Sequence, residues 1–210
     1  TNMVTVNGDQ IAMGRFPDAG SNLVFESFKS SPLSITDTGL GDAVNWTGAE
    51  AVINVNDWSL DRCRISSHSG DVLTYSNLGS GAVPSNSGRY YFIQNDIKCL
   101  STDNEWFHSF SDSRFYIFSN PSDKTIKVSC LNYLISNNSY DYITIDGLNL
   151  TGAILFAINM LNGSTYCTVQ NCTVSYIGES GIRCDNAGYH LYDNNFMTDI
   201  NRAAIYCNNS

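Results

Sequence analysis

Charged residues are scarce in this chain, since Asp, Glu, Lys and Arg together make up 15% of its 210 residues. A surface helix needs a charged or polar face opposite its apolar stripe, so this composition argues against long surface helices. The few charges are also unbalanced, with 11 basic residues against 20 acidic ones and a formal net charge of −9. Because phosphate groups are bound by clustered Lys and Arg, we expect neither nucleic acid nor an anionic membrane as a partner.

The sequence also lacks several signatures of familiar functions. No apolar run reaches the ~18 residues that indicate a transmembrane helix, so membrane insertion is not expected. The patterns GxSxG, HExxH and the P-loop are missing, so the sequence does not indicate an α/β-hydrolase, a zinc metalloprotease or a P-loop nucleotide-binding protein. The seven cysteines show neither CxxC nor any pairing with HxxxH, so no metal site is predicted from them.

The C-terminal third of the chain contains a repeat. Residues 167–184 align with residues 190–207 over 18 positions, at an offset of 23. Residues 143–160 align with the first of these segments at an offset of 24. Three units at a nearly constant period indicate a solenoid, in which each unit stacks on the next.

Each unit is predicted to form short strands. Apolar residues alternate with polar ones at Ile143 and Ile145, which is the period of a strand. An Asn or a Gly interrupts the alternation once in each unit, at Gly147, Asn171 and Asn194, and these residue types tolerate the left-handed backbone of a sharp bend. The pattern predicts an all-β fold, a parallel β-helix whose coils of 23–24 residues stack about 4.8 Å apart.

Stacking places equivalent side chains of successive coils next to one another. Asn171 and Asn194 are therefore expected to form a ladder of hydrogen-bonded amides. Asp146, Gln170 and Asp193 share one outward position, where a column of oxygens could hold Ca²⁺ or could instead form hydrogen bonds between coils. No cofactor other than this Ca²⁺ is indicated.

Cys184 and Cys207 also occupy equal positions in adjacent coils. Parallel in-register side chains hold the Cβ atoms further apart than the roughly 3.8 Å of a disulfide, so we expect stacked thiols. The chain begins with Thr1 and stops at Ser210, just after a predicted strand. We interpret it as a processed or partial chain, incomplete at both ends.

The N-terminal part is less regular. Residues 1–50 are predicted to form a β-hairpin or small β-barrel with loops. In this segment Val4 and Val6 alternate with polar neighbours and lead into Asn7-Gly8, a typical hairpin turn.

The remaining residues, 51–210, are assigned to the β-helix. Residues 58–75 align with residues 167–184 at an offset of 109, which predicts an early coil, and residues 91–95 resemble part of another coil. The aromatic segment 101–128 breaks the period and is predicted to be a hairpin excursion.

Four segments together resemble a known superfamily: VTVNGDQIAMGRFPD, YYFIQND, EWFHSFSDSRFYIFSN and YDYITIDGLNLTG. Their succession is similar to that in secreted bacterial proteins with a right-handed parallel β-helix, the pectate-lyase-like superfamily. Many of these carry a small β-barrel or sandwich inserted among the first coils. The resemblance implies a right-handed helix and a secreted or cell-surface location.

The resemblance leaves two kinds of function open, because fold does not determine function. The first is a carbohydrate-active protein, a polysaccharide lyase or glycoside hydrolase that binds a polysaccharide along the outer face of the helix. The second is a non-catalytic module, either an adhesin or a structural component of a larger envelope or secretion assembly.

The candidate site lies on the last coils. Arg183 should point outward between two buried neighbours, and the same position in adjacent coils holds Asn159 and Tyr206, which we predict to bind substrate. His68, in a polar turn, is a further candidate for substrate binding. The polar groups expected around Arg183 are predicted to be catalytic: Glu179, Arg183, Asp185, Asp199 and Arg202.

These residue types fit the chemistry of either enzyme. A lyase needs a base, together with a cation that stabilises the enolate formed beside a uronate carboxylate. A glycoside hydrolase needs two carboxyl groups at a defined separation. The alternative is that Glu179 with Arg183, and Asp199 with Arg202, form only surface ion pairs.

Overall fold

The structure is a computed structural model that describes residues 3–78, 83–109 and 111–208. Within these ranges the regular structure is β, apart from a short 3₁₀ helix at Ile97–Cys99. No helix of the described residues is long and apolar enough to cross a membrane. The chain divides into two compact units, one of Thr1–Ile11 with Pro121–Ser210 and one of Ala12–Asn120.

Among the described residues, twelve strands precede Asn120: β1 (Val4–Val6), β2 (Asp9–Gln10), β3 (Arg15–Phe16), β4 (Leu23–Val24), β5 (Ser27–Ser30), β6 (Leu33–Thr36), β7 (Glu50–Asn56), β8 (Ser59–Ser69), β9 (Val72–Asn77), β10 (Tyr90–Gln94), β11 (Glu105–Ser109) and β12 (Arg114–Phe118). Eleven follow it: β13 (Ile126–Val128), β14 (Tyr133–Asn138), β15 (Thr144–Asp146), β16 (Asn149–Thr151), β17 (Phe156–Leu161), β18 (Thr168–Gln170), β19 (Thr173–Ile177), β20 (Ser180–Asp185), β21 (Leu191–Asp193), β22 (Phe196–Ile200) and β23 (Ala203–Asn208).

The unit Ala12–Asn120 is built on an antiparallel sheet of order β3-β10-β7-β8-β9-β6-β5, with β4 also paired to β10. The prediction of an early coil at residues 58–75 is therefore wrong, since β8 pairs antiparallel with both β7 and β9. Two-residue turns join these strands, and a parallel crossover needs a connection of a dozen residues or more. The strand β10 is likewise antiparallel to β7, so residues 91–95 do not belong to a coil.

The predicted aromatic hairpin is confirmed in this unit. Strands β11 and β12 pair antiparallel, with Trp106 opposite Ile117. The indole of Trp106 stacks on Phe115 with ring centroids 5.8 Å apart, so aromatic cross-strand contacts stabilise the hairpin.

The other unit begins with the predicted N-terminal hairpin. Strands β1 and β2 pair antiparallel around Asn7 and Gly8, which have φ of 54° and 98°. Strand β13 pairs with the other edge of β1 and places Val4 opposite Val128. The residues of β13 that pair with β1 lie 120 to 124 positions further along the chain, so residues 1–11 belong to the same compact unit as residues 121–210.

A parallel β-solenoid completes this unit. Its three sheets have the orders β14-β17-β20-β23, β15-β18-β21 and β16-β19-β22. The register pairs Ile145 with Val169 and Val169 with Tyr192, which are the offsets of 24 and 23 read from the sequence. The first parallel strand begins at Tyr133, ten residues before the predicted start at Ile143.

Left-handed corners recur in every coil. Twelve residues with positive φ fall into four columns, spaced 23 or 24 residues apart: Ser139, Asn162 and Asn186; Tyr142, Tyr166 and Tyr189; Gly147, Asn171 and Asn194; and Gly152, Tyr176 and Asp199. Most of these are Asn, Gly, Asp or Ser, which adopt this conformation at low cost, whereas tyrosine does so rarely.

The predicted amide ladder is confirmed at one of these columns. Asn194 Nδ2 donates to Asn171 Oδ1 at 2.7 Å, and Asn171 Nδ2 donates to Asp146 Oδ1 at 2.8 Å. Gln170 Nε2 donates to Asp146 Oδ2 at 2.8 Å, so this outward column contains a hydrogen bond between coils. No group of three His, Cys, Asp or Glu suited to a metal occurs among the described residues.

The solenoid core is filled by the inward residues of all three sheets. Ile158, Met160, Val174 and Ile182 are fully buried there. Cys184 lies in register with Cys207, and both cysteines are free thiols.

Candidate functional site

The sheet β14-β17-β20-β23 brings most of the predicted site residues together. Its register places Asn159 beside Arg183 and Arg183 beside Tyr206. Ile182 and Cys184, which flank Arg183, are buried, so the alternation of a strand turns Arg183 to the outer face. The predicted row of equivalent positions across three coils is therefore present in the register.

Asn159 does not provide a contact for a ligand. Its side chain is fully buried, and among the described residues neither its Oδ1 nor its Nδ2 has a hydrogen-bond partner. On the same face the guanidinium of Arg183 lies 5.2 Å from the ring centroid of Phe156. A polymer on this face would meet Arg183 and could not reach Asn159 in this conformation.

The ion pairs differ from those expected. Arg183 pairs with Asp185, and Arg202 Nη1 lies 2.8 Å from Glu179 Oε1. The expected pair Glu179 and Arg183 has a spacing of four residues, which brings side chains together on a helix, whereas residues two apart share a face of a strand. Glu179 and Arg202 are 23 residues apart and so lie on adjacent coils. The carboxylate of Asp199 accepts a hydrogen bond from Thr198 Oγ1 at 3.0 Å.

Tyr206 extends this group of charges. The guanidinium carbon of Arg202 lies 4.3 Å from the centroid of its ring, within the range of a cation–π contact. The hydrogen bond to Glu179 is the first cause of a raised pKa for Arg202. Glu179, Arg183, Asp185, Arg202 and Tyr206 are called the paired-charge patch below.

The paired-charge patch is accessible without being fully exposed. The exposed fraction is 53% for the Arg202 side chain, 30% for Glu179, 29% for Arg183 and 16% for Asp185. Each carboxylate accepts a hydrogen bond from a guanidinium, and Asp185 also accepts one from Asn208 at 3.1 Å. Both carboxylates of the patch are therefore already engaged by guanidinium groups.

His68 lies in the other unit and has a structural role. Its Nδ1 accepts a hydrogen bond from the backbone N–H of Trp46 at 3.2 Å. Its Nε2 lies 2.9 Å from the carbonyl oxygen of Gly70, which makes Nε2 the protonated nitrogen. Both ring nitrogens are occupied and the residue is buried, so no nitrogen remains for a substrate.

A column of exposed tyrosines was not predicted. Tyr142 and Tyr166 stack with centroids 5.4 Å apart, and Tyr166 and Tyr189 stack at 5.2 Å. A signal was present in the sequence, because a tyrosine recurs at offsets of 24 and 23. Tyr166 stacks between the other two rings, and these contacts between coils stabilise a corner of the solenoid.

Comparison with known proteins adds to the description of the fold. No family model and no curated protein matches the sequence. One solved structure that is similar, a protein named "Glycoside hydrolase", has a TM-score of 0.62 and 13% sequence identity. The alignment covers 94% of this chain and 54% of that protein, so the chain spans about half its length. At this identity the likeness shows a shared β-solenoid architecture.

Proposed function

We propose that this chain is a carbohydrate-active β-solenoid that binds a polysaccharide across the outer face of the sheet β14-β17-β20-β23. The observation that carries this proposal is the paired-charge patch, in which Arg202 lies between Glu179 and the ring of Tyr206. Sugars combine hydroxyl groups with apolar ring faces, and the patch offers both charged hydrogen-bonding groups and an aromatic ring. The name of the structural neighbour, "Glycoside hydrolase", supports a carbohydrate ligand.

An acidic polysaccharide suits the patch best. A uronate carboxylate can accept the hydrogen bonds of Arg183 or Arg202 in place of Asp185 or Glu179. The exchange would release the protein carboxylate, which would take the proton at C5 beside the uronate carboxylate while the arginine stabilises the enolate. The enolate electron pair would then form the C4–C5 double bond and expel the glycosidic oxygen at C4, which would take up the proton held by the protein carboxylate or one from water. This sequence describes a polysaccharide lyase; a hydrolase would also require one carboxyl group to hold a proton.

The second candidate is binding without cleavage, as an adhesin or as part of an envelope assembly. It is favoured by the observation that Glu179 and Asp185 are both ion-paired, since such pairs stabilise a surface as readily as they prepare a reaction. Either function would require the chain to meet polysaccharide outside the cytoplasm, so a secreted or surface location is part of the proposal.

The test uses a panel of acidic and neutral polysaccharides and the variants Arg183→Ala, Arg202→Ala and Glu179→Gln. Affinity electrophoresis measures binding, while unsaturated-product absorbance and reducing ends measure cleavage. We expect both arginine variants to lose binding to the acidic polymers that the parent binds. Asp193→Asn, on the sheet β15-β18-β21, is the matched control and should bind like the parent.

Glu179→Gln separates the two candidates. A lyase or hydrolase that uses this carboxylate should lose cleavage in the variant while it still binds, whereas a non-catalytic module should show no cleavage in the parent. Full binding by both arginine variants, with the fold retained, would remove the site.

A further inference from the structure

A cavity of about 310 Å³ lies within the unit of Thr1–Ile11 and Pro121–Ser210. One wall comes from the hairpin sheet of β1 and β13, through Thr5, Lys127 and Ser129. The other wall comes from the solenoid, through Thr151, Gly152 and Tyr176. This hairpin cavity is separate from the paired-charge patch and shares no residue with it.

The solenoid wall contains a tyrosine at a left-handed corner. Tyr176 has a φ of 55° at a corner where the adjacent coils have Gly152 and Asp199. A bulky residue with positive φ is strained, and such positions are frequent at ligand sites. Gly152 is also at positive φ, and a Cβ atom there would lie 3.3 Å from the Oγ of Ser129. The corner at Tyr176 thus supplies an aromatic ring to the wall, and the corner at Gly152 leaves space beside the hydroxyl group of Ser129.

The hairpin wall supplies one positive charge with hydroxyl groups beside it. The antiparallel register places Lys127 opposite Thr5, so both side chains lie on the same face of β1 and β13. Within the described residues, Lys127 forms no ion pair with a carboxylate. Thr5, Ser129 and Thr151, which carry hydroxyl groups, line the same space, and the Thr151 hydroxyl also accepts a hydrogen bond from Ser175 Oγ at 3.2 Å. The cavity therefore combines a cation, hydroxyl groups and one aromatic ring.

We propose that the hairpin cavity binds a single uronic acid unit of a carbohydrate. Its carboxylate would bind the ammonium group of Lys127, its hydroxyl groups would bond with Thr5, Ser129 and Thr151, and its apolar face would lie against Tyr176. The volume is at the lower end of the roughly 300–1,000 Å³ of small-molecule sites, which suits one sugar ring. A phosphate is less suited, because its sites usually offer an arginine fork or several converging backbone N–H groups.

The experiment titrates ¹⁵N-labelled protein with D-glucuronate, with D-glucose as the matched neutral ligand. Chemical-shift changes caused by D-glucuronate should be concentrated at the backbone amides of Ser129, Thr151 and Gly152. D-glucose should bind at least about tenfold more weakly, because it has no carboxylate to accept the hydrogen bond from the Lys127 ammonium group. Lys127→Gln should weaken D-glucuronate binding by about tenfold for the same reason. Tyr176→Asn should also weaken it, since Asn accepts the corner's backbone and removes only the ring.

Two controls make the outcome decisive. Lys124→Gln removes a lysine that does not line the cavity, and it should bind D-glucuronate like the parent. The shifts at Ser129, Thr151 and Gly152 are measured separately from those at Arg183 and Arg202 of the outer face, so that a failure of this proposal can be distinguished from a failure of the outer-face site. Equal binding of D-glucose and D-glucuronate, unchanged binding by Lys127→Gln, or equally tight binding of inorganic sulfate at these amides would overturn the proposal.

Discussion

The amide ladder allows the stacking of coils to be tested at one residue. Asn171 donates one hydrogen bond and accepts another along the ladder, and its φ is 53°. Asn171→Ala removes both bonds, which are exposed and so contribute about 0.5–1 kcal/mol each. It also places alanine in a left-handed conformation, at a cost of about 1–2 kcal/mol. Together the free energy of unfolding should fall by about 2–4 kcal/mol.

Asn171→Gly is the matched variant, because it removes the same two bonds and accepts the left-handed backbone. It should therefore be more stable than Asn171→Ala by about 1 kcal/mol. Urea unfolding followed by far-UV circular dichroism measures both values. All three tryptophans, at positions 46, 58 and 106, lie in the unit Ala12–Asn120, so tryptophan fluorescence gives a separate signal for that unit. Equal stability of the parent and both variants would refute the ladder.

Three further predictions concern other parts of the chain. Gly181→Ala should lower the free energy of unfolding by about 1–3 kcal/mol through overpacking, because a Cβ atom at this position would lie 2.7 Å from the carbonyl oxygen of Ala204. An unchanged midpoint of urea unfolding would contradict this close contact between coils. Arg15→Lys should destabilise the unit Ala12–Asn120 by about 1–3 kcal/mol, because the guanidinium stacks 3.9 Å from the ring centroid of Phe92 and donates to Pro17 O at 2.9 Å. Tryptophan fluorescence during urea unfolding measures the loss of stability of this unit. A variant as stable as the parent would contradict a stabilising role for these two contacts. Hydrogen bonds from Asn171 and Gln170 lower the pKa of Asp146. The stability that the ionised carboxylate contributes is therefore present above the ordinary carboxyl pKa and is lost as the pH falls through the lowered pKa. An NMR titration of the Asp146 carboxyl carbon should show the lowered pKa, and Asn171→Gly should raise that pKa toward its ordinary value.

The solenoid could be predicted from sequence because each stacked coil repeats the same pattern of apolar residues. Equivalent residues of successive coils pack on one another, so Ile145, Val169 and Tyr192 keep a constant spacing that the register reproduces. The early coil at residues 58–75 was wrong because alternation is the same in parallel and antiparallel strands. The length of the connections separates the two arrangements, and the two-residue turn after β8 requires an antiparallel partner.

The site could be predicted only in part. The row of Asn159, Arg183 and Tyr206 follows from the coil offset, and the structure contains it. Burial of Asn159 depends on the side chains around it, which the offset does not specify. The expected pair of Glu179 with Arg183 used the spacing of a helix, whereas on these strands Arg183 pairs with Asp185 and Arg202 reaches Glu179 on the adjacent coil. The role of His68 depends on the backbone of Trp46, a contact between residues 22 positions apart.

The proposed outer-face site is tested most directly by mapping a bound acidic oligosaccharide on the protein by NMR. Binding at the outer face should change the chemical shifts of the side chains of Arg183, Arg202 and Tyr206, with little change at the exposed column of Asp146 and Gln170. The absence of changes at all three of the former residues, under conditions in which binding is measured independently, would contradict it.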